Sequence, residues 1–391
     1  MKRFTVPAAI LFILLVFSAC SDFTVTFDNV TNNRSSDNSY EGIWSYTDDC
    51  IYRSLDDGLY EYDIENETIV KIADYGSIEG ITAMLPFFSV IPEGFVIISN
   101  QFFDIGNMKY DKKTDTYTAE LNMYVVNYKG EVKKTITLEN TYDENNQSID
   151  ESRIDYFTSG FMIDNGWIYG QNNAGWLRYD IDTGETQHVC ENLLCIAGEY
   201  IYCIEYEDVN ILHRIKENDL SGEETMSFGL TNLMKPEASY PEYGDEAAAN
   251  ICVFSDGTVI FSRQEFGNDP SDGRDAWQTK EWYSCKFGEE PQVIGDGYIG
   301  YDVSYADGYF YAVSKDKNPD SSPDEFGNIH PYLDSGKIYK ISSETFEQEL
   351  IYSGEMGYPV MIGEKYLVIS YDTDSAAVYA AETGETVYLE K

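Results

Sequence analysis

A tight turn between two apolar runs recurs along the chain and constrains its fold more than any other feature. In "IDNGWIY", residues 163–169, an Asn-Gly pair stands between Ile163 and an apolar run that starts at Trp167. Asn-Gly and Asp-Gly pairs supply the positive φ angles of tight β-hairpins, and alternation after the turn is typical of the returning strand. The pattern recurs at residues 46–52 (without the glycine), 91–98, 196–202, 254–261, 305–311 and 362–369, so the sequence predicts seven hairpins.

Each hairpin is followed by a second alternating segment with its own turn, as in "RYDIDTGET", residues 178–186. These segments lie at 59–68, 123–132, 177–186, 212–224, 282–291, 338–347 and 378–387. Two hairpins per unit give four strands, and repetition of such a unit is the signature of a propeller. We therefore predict an all-β fold, a seven-bladed β-propeller of four-stranded antiparallel blades over residues 41–391. Six or eight blades, or a β-sandwich, are the alternatives.

Spacing and composition agree with this prediction. The interval from Tyr60 to Tyr124 is almost twice that from Arg178 to His213, which a solenoid would not tolerate because its repeats stack over their whole length. A propeller blade accepts insertions between its strands. The chain also contains 33 tyrosines and 20 phenylalanines, residue types that suit half-buried pleated surfaces.

The charge balance excludes several classes of partner. With 26 basic and 69 acidic residues the formal net charge is −43. Nucleic acid is excluded because phosphate binding needs clustered Lys and Arg, and anionic lipid surfaces are disfavoured by the same repulsion. The acidity is interpreted as a solvated, self-repelling surface, and we expect a monomer.

The N-terminus has the pattern of a secretory signal peptide. Lys2 and Arg3 precede an apolar run from Val6 to Phe17, which is too short for a membrane span, and small residues then lead to Cys20. Residues 1–19 are predicted to be the signal peptide and residues 20–40, rich in Asn, Ser and Asp, a polar tether.

The Phe-Ser-Ala-Cys ending, residues 17–20, resembles the lipobox of bacterial lipoproteins. The resemblance implies lipidation of Cys20, export, and contact with the membrane through that anchor. The repeated units resemble a propeller domain of unknown function in bacterial exported lipoproteins, related in shape to the propellers of low-density-lipoprotein receptors. "DIDTGET" and "AAETGETVY" also resemble quinoprotein-type repeats, but His188 and Tyr388 stand where those repeats carry a docking tryptophan, so a pyrroloquinoline cofactor is not implied.

No recognisable motif carries catalysis or metal binding. The three histidines, His188, His213 and His330, are too few and too scattered for a histidine-based mechanism. The cysteines after Cys20 match neither a zinc nor a redox spacing, and disulfides and buried thiols remain equally open for Cys50, Cys190, Cys195, Cys203, Cys252 and Cys285. Residues 267–275 and 315–336 are rich in oxygen ligands without EF-hand spacing, so we predict no cofactor, with calcium as the alternative.

We expect the functional site to lie where insertions interrupt the repeat. Insertions at about 100–120, 264–280 and 314–336 are predicted to be long loops at one end of the disc, which is where propellers usually bind ligands. Their aromatic side chains either contact a ligand or pack the loops, and the candidates are Phe102, Phe103, Phe266, Trp277, Phe326 and Tyr332. We predict a binding or scaffolding module, not an enzyme, for a carbohydrate, a peptide or an envelope protein. The alternative is a propeller glycoside hydrolase or lyase that uses carboxylates in the channel.

Overall fold

The structure is a computed structural model of the chain. It describes residues 44–46, 50–63, 66, 68–81, 87–91, 93–98, 109–143, 149–155, 161–164, 166–205, 208–230, 240–254, 256–268, 275–296, 303–306, 309–317, 332–342, 344–355, 358–362, 366–370, 375–380 and 383–390. The predicted signal peptide, Cys20 and the tether lie outside the described residues.

The described residues form seven antiparallel β-sheets. The first sheet contains β1 (Trp44–Tyr46), β2 (Cys50–Leu55), β3 (Gly58–Asp63) and β4 (Thr68–Asp74). The second contains β5 (Phe87–Ile91), β6 (Gly94–Ile98), β7 (Lys109–Asp111), β8 (Thr116–Asn127) and β9 (Val132–Tyr142). The third contains β10 (Phe161–Asp164), β11 (Trp167–Asn172), β12 (Gly175–Asp180) and β13 (Thr186–Cys190). The fourth contains β14 (Leu193–Ala197), β15 (Tyr200–Glu205), β16 (Asp208–Lys216) and β17 (Glu224–Ser227).

The fifth sheet contains β18 (Glu246–Val253), β19 (Thr258–Asn268), β20 (Asp275–Lys286) and β21 (Gln292–Asp296). The sixth contains β22 (Val303–Ala306), β23 (Tyr309–Lys317), β24 (Tyr332–Ser342) and β25 (Gln348–Glu355). The seventh contains β26 (Tyr358–Ile362), β27 (Tyr366–Ser370), β28 (Ser375–Ala380) and β29 (Thr386–Glu390). A 3-10 turn covers Tyr75–Ser77, and the described residues contain no α-helix. Nor do they include a helix long and apolar enough to cross a membrane.

Six of the sheets have four strands that follow one another in sequence order, which is the topology of a propeller blade. The seven predicted turns between apolar runs all coincide with the hairpin that joins the first two strands of a sheet. The turn chemistry is also as predicted, since Gly166 and Gly257 have φ angles of 83° and 79°. The second turns coincide with the hairpins that end each sheet.

Two expectations were wrong. The second sheet has five strands, because β7 pairs with the start of the long β8. The predicted loops at 100–120, 264–280 and 314–336 are largely strand in their described parts. The strands β19 and β23 run to Asn268 and Lys317, and β8, β20 and β24 begin at Thr116, Asp275 and Tyr332. Cross-strand pairs such as Phe266 with Trp277 continue the alternation of the sheet and so extend the hairpin instead of forming an irregular loop.

In the fourth sheet, burial decreases from the first strand to the last. Every residue of β14, "LLCIA", is buried, whereas β17, "ETMS", has one buried residue. A strand buried on both faces reads as a continuous apolar run, and an outer strand reads as polar or mixed. This gradient explains why the first hairpin of each unit has the stronger sequence signal.

The hydrophobic cores lie between neighbouring sheets. Each core cluster joins side chains from two consecutive sheets: Leu59 with Phe95, Ile136 with Ile168, Tyr169 with Ile201, Leu212 with Phe261, and Trp282 with Ile341. The first strands are also in contact, β1 with β5, β18 with β22 and β22 with β26. In addition, β1 contacts β26, so the first sheet of the chain lies against the last.

The core between the fourth and fifth sheets provides a test of this packing. Phe261 is fully buried, and its ring centroid lies 4.6 Å from that of Phe228 and 5.1 Å from that of Tyr283. We expect Phe261→Ala to lower the free energy of unfolding by about 3–5 kcal/mol in urea titrations, because a large cavity is left. Val293→Ala, on the same sheet at a position 56% exposed, should change it by less than about 0.5 kcal/mol. Equal midpoints for the two variants would contradict this packing.

Candidate functional site

The hairpin of β19 and β20 extends beyond the rest of the fifth sheet. These strands remain paired as far as Asn268 with Asp275, whereas β18 pairs no further than Glu246 with Glu265. The end of the hairpin is therefore a ribbon of β19 and β20, to which, among the described residues, only the backbone of Gly244 and Asp245 still bonds, at Phe266. Two of the six predicted contact residues lie on it, directly opposite each other, namely Phe266 on β19 and Trp277 on β20.

Three aromatic side chains, Tyr243, Phe266 and Trp277, form what we call the aromatic arm. The centroid of the Phe266 ring is 5.5 Å from that of Trp277 at an interplanar angle of 62°, and 6.0 Å from that of Tyr243 at 63°. Edge-to-face contacts of this kind add to the stabilisation from burial. Phe266 and Trp277 are half-buried, whereas Tyr243 is 64% exposed and the nearby Tyr240 is 82% exposed. The arm thus presents aromatic surface to solvent.

Backbone and side-chain hydrogen bonds hold Tyr243 against the ribbon. The N–H of Phe266 donates to the carbonyl of Asp245, and the N–H of Gly244 donates to the carbonyl of Phe266, both at 2.9 Å. The Tyr243 hydroxyl donates to the carboxylate of Asp275. That hydrogen bond, with a smaller contribution from burial, raises the pKa of Tyr243. The arm is therefore a preorganised arrangement rather than three independent side chains.

Polar groups adjoin the rings. The Gln278 side-chain amide donates to the carbonyl of Asn268 at 2.8 Å, and Lys280 donates to the Gln278 side-chain oxygen at 2.9 Å. The Asp245 carboxylate accepts from the N–H of Glu242 at 2.6 Å. Aromatic side chains can stack on the apolar face of a ligand ring. The amide and carboxylate groups beside them can hydrogen-bond to the hydroxyl or amide substituents of that ring.

A cluster of charged side chains lies next to the aromatic arm, on β18, β19 and β20 of the same sheet. Arg263 on β19 forms ion pairs with Glu246 at 2.5 Å and with Glu281 at 3.2 Å. The Tyr283 hydroxyl donates to Glu281 at 2.7 Å. Burial first, and then the hydrogen bond to Glu281, raise the pKa of Tyr283 to about 12. Arg263 therefore pairs with a carboxylate on each neighbouring strand, and the polar groups of this cluster engage one another.

A further recess lies between the second and third sheets. Its lining residues are Thr137, Leu138, Glu139, Arg153, Ile154, Tyr179, Gly184 and Thr186. Arg153 is already engaged with Asp150 at 3.5 Å and with the carbonyl of Glu139 at 3.3 Å. The polar groups of this recess therefore serve local structure.

The remaining predicted residues are not brought to the arm within the described part of the chain. Phe102, Phe103 and Phe326 lie outside the described residues, and Tyr332 begins β24 opposite Lys317. His188 contacts the carbonyl of Ala174 at 3.2 Å.

His213 lies on the fourth sheet, with its Nδ1 3.1 Å from Glu223, whereas His188 lies on the third. Among the described residues, no group of three or more His, Cys, Asp or Glu side chains is arranged to hold a metal ion.

Sequence reasoning missed Tyr243. The available signal was "YPEYGD", residues 240–245, in which two tyrosines flank a Pro-Glu pair just before a strand. Attention to aromatic residues next to an insertion, as well as within it, would have found this residue.

The turn of "RYDIDTGET" has the structural role that was predicted for it. The Asp180 carboxylate accepts hydrogen bonds from the N–H groups of Asp182 and Thr183 at 2.8 and 2.7 Å. Gly184 follows at φ 75°. A side chain that caps its own turn in this way is a turn former.

Comparisons with known proteins give no family. No protein-family model matches the sequence, and no curated protein matches it. Among solved structures, a putative 6-phosphogluconolactonase from Bacteroides fragilis is 13% identical, with 90% of this chain and 95% of that chain covered, at a TM-score of 0.41. The dihydro-heme d1 dehydrogenase NirN is 13% identical, with 89% and 65% covered, at 0.40. KlHsv2 with loop 6CD replaced by a Gly-Ser linker is 10% identical, with 89% and 96% covered, at 0.39. These TM-scores are too low to inform the function of this chain.

The charged cluster predicts a stability loss at alkaline pH. The pKa of Tyr283 is about 12 in the folded protein and near its ordinary value of 10.0 in the unfolded chain. Between these values the unfolded chain releases a proton that the folded protein keeps, so stability falls as pH rises. We expect Tyr283→Phe to be less stable than wild type at pH 9, because the hydrogen bond to Glu281 is lost, and this difference to shrink towards pH 12.

Urea titrations at several pH values measure this difference. The matched control is Tyr388→Phe, at a position 67% exposed, whose difference from wild type should stay constant. Parallel pH profiles for wild type and Tyr283→Phe would contradict the prediction.

Proposed function

We propose that this protein is an exported, lipid-anchored, seven-bladed β-propeller that acts as a monomeric, non-enzymatic binding module and uses the aromatic arm to bind a carbohydrate. The observation that carries the binding role is the arm itself. Tyr243, Phe266 and Trp277 are held by backbone pairing on a ribbon that projects beyond its sheet, and their rings remain partly exposed.

The propeller architecture is supported by the sheets and their contacts. Six of the seven sheets run in sequence order, and the described hydrophobic cores are shared between consecutive sheets. The contact between β1 and β26 brings the two ends of the series together. A closed ring of blades accounts for all three features, because closure leaves no sheet face without a neighbour.

The fixed position of the aromatic rings, the polar groups beside them and the net charge of the chain support the binding role. Aromatic side chains that are fixed before binding lose little conformational entropy when a ligand arrives. Carboxylate and amide groups beside the rings, such as Asp275 and Gln278, complement the hydroxyl groups of a sugar. The net charge of −43 disfavours anionic polymers, which leaves neutral or basic carbohydrates as the expected class.

The directions in which the carboxyl pKa values shift, among the described residues, support a non-enzymatic role. A glycoside hydrolase needs one carboxyl group with a raised pKa to act as general acid. The described carboxyl groups with a shifted pKa all shift downwards: Glu131 mainly through Lys133, Asp150 through Ser152, Asp219 through Ser221, and Asp256, despite its burial, through Lys286. Glu246 and Glu281 are both paired with Arg263.

A glycan array probed with the soluble fragment that starts near Ser39 tests the binding role, with a peptide array as the competing arm. We expect binding to a set of neutral or basic glycans, and we expect Trp277→Ala or Phe266→Ala to weaken it about tenfold or more, because stacking surface is removed. Tyr388→Ala removes an exposed ring on β29 of the seventh sheet and should leave binding unchanged. Binding that survives both arm variants, or that occurs to peptides alone, would contradict the proposal.

The anchor is supported by Lys2, Arg3, the short apolar run and Cys20. Mass spectrometry of the mature protein should find diacylglycerol on an N-terminal Cys20. Cys20→Ser should move the protein from the membrane fraction to the soluble fraction, while its glycan binding stays intact. A mature N-terminus without lipid would refute anchoring and leave the binding role standing.

A further inference from the structure

The aromatic arm carries a carboxylate on the same face as its rings. Phe266 pairs directly with Trp277 across the ribbon, and Asn268 pairs with Asp275 further along it. Side chains two residues apart on a strand lie on one face of it, so Asp275 and Trp277 share a face. The hydroxyl of Tyr243 donates to Asp275 and its ring contacts Phe266, which places the three rings and the carboxylate together.

The negative charge of Asp275 is not balanced by an ion pair with any described lysine or arginine. Its contact with Tyr243 is a hydrogen bond from a neutral hydroxyl. Arg263 on β19 forms its ion pairs with two other carboxylates, and Lys280 on β20 donates to an amide oxygen. Asp275 is therefore an exposed carboxylate beside aromatic rings, with its charge available to a ligand.

The chain around the arm is acidic as well. Residues 240–246 contain three acidic side chains and no basic one, and residues 264–278 contain four acidic and one basic. A negative potential of this kind attracts cations and repels anions. The surface of the arm therefore favours a ligand that combines an apolar ring face with a positive charge.

We propose that the ligand of the aromatic arm is an amino sugar, bound through the rings and through a protonated amino group that pairs with Asp275. This assignment rests on the proposed carbohydrate-binding role and names the class of carbohydrate. It requires neither the lipid anchor nor a closed ring of blades.

Each part of an amino sugar has a counterpart on this face of the ribbon. The apolar face of the sugar ring stacks on Trp277, whose position is fixed by Phe266. The ammonium group donates to the Asp275 carboxylate in a charge-assisted hydrogen bond, which is stronger than one between neutral groups. Positions two residues apart on a strand are separated by about 7 Å, so one substituted sugar ring reaches both. A cation beside an aromatic ring is stabilised further by the ring quadrupole.

Two oligosaccharides of equal length test the assignment, the hexamer of β-1,4-linked glucosamine and its fully N-acetylated counterpart. They share a backbone and differ in charge. Calorimetric titration of the mature full-length protein, made as Cys20→Ser to keep it in solution, is done at a pH where the sugar amines are protonated. We expect the glucosamine hexamer to bind about tenfold more tightly or better. Added salt should weaken only that complex, because screening acts on charged pairs.

Asp275→Asn separates the charge from the structure of the arm. The side-chain oxygen of asparagine still accepts from the Tyr243 hydroxyl, so the rings keep their positions. We expect this variant to bind the glucosamine hexamer about tenfold more weakly and the acetylated hexamer as wild type does. Trp277→Ala should weaken the binding of both. Glu289→Gln, which removes an equal charge beyond the far end of β20, should change neither.

The ribbon of β7 and β8 in the second sheet supplies a matched aromatic control. Tyr110 is 47% exposed, its ring centroid lies 5.0 Å from that of Tyr117, and its hydroxyl donates to Asp115 at 2.6 Å. Residues 109–117 nevertheless contain three lysines and two aspartates, so this ribbon resembles the arm in its exposed ring and not in its charge. Tyr110→Ala should leave the binding of both hexamers unchanged.

The outcomes distinguish this assignment from the proposed function. Equal affinity for the two hexamers, or a preference that persists in Asp275→Asn, would overturn the amino-sugar assignment and leave carbohydrate binding standing. Binding of neutral glycans on the array but of neither hexamer would do the same. Binding to no glycan, or to lysine-containing peptides alone, would overturn the assignment and the proposed function together.

Discussion

The whole structure depends on covering both faces of the inner strands of every sheet. All five residues of β6 and all five of β14 are buried, although a sheet of four strands cannot cover its own faces. Each core therefore contains side chains from two sheets, as with Leu212 and Phe261. Within the described residues the cores are thus shared between sheets, and the contact of β1 with β26 joins the first sheet to the last.

Two arginines of this acidic chain lie at these boundaries. Arg214 lies over the rings of Tyr200 and Phe287, 4.3 and 4.1 Å from their centroids, and so joins the fourth sheet to the fifth. Arg178 lies 4.0 Å from the Trp167 centroid and donates to the backbone carbonyl of Glu217, which joins the third sheet to the fourth. Arginine suits this role because its planar group stacks on rings and still donates hydrogen bonds at its edge.

The aromatic arm shows how such a sheet accommodates an insertion. Lengthening β19 and β20 beyond β18 adds a ribbon without disturbing the four-stranded sheet. The ribbon continues the same alternation and backbone pairing, so Phe266 and Trp277 are positioned by strands instead of by a loop. The ion pairs of Arg263 behind the arm fix β18, β19 and β20 relative to one another.

Much of this architecture was predictable because its signals are local. Turn chemistry at Gly166 and Gly257, and alternation on either side of it, act over a few residues, so the hairpins could be located individually. The pairing of Phe266 with Trp277 was not predicted, because irregular loops and extended hairpins share a polar, glycine-containing composition and the sequence does not distinguish them. The insertion was therefore predicted at the right place and with the wrong conformation.

By itself, the sequence determined the all-β class, the order of the hairpins and the role of Asp180 as a turn former, since each follows from interactions between near neighbours in the chain. Only the tertiary structure decided that Tyr243 joins the aromatic arm and that Arg263 pairs with two carboxylates. These contacts depend on strand register and on how one sheet packs against the next. Neither is encoded in a short stretch of sequence, because both arise from the joint burial of residues far apart in the chain.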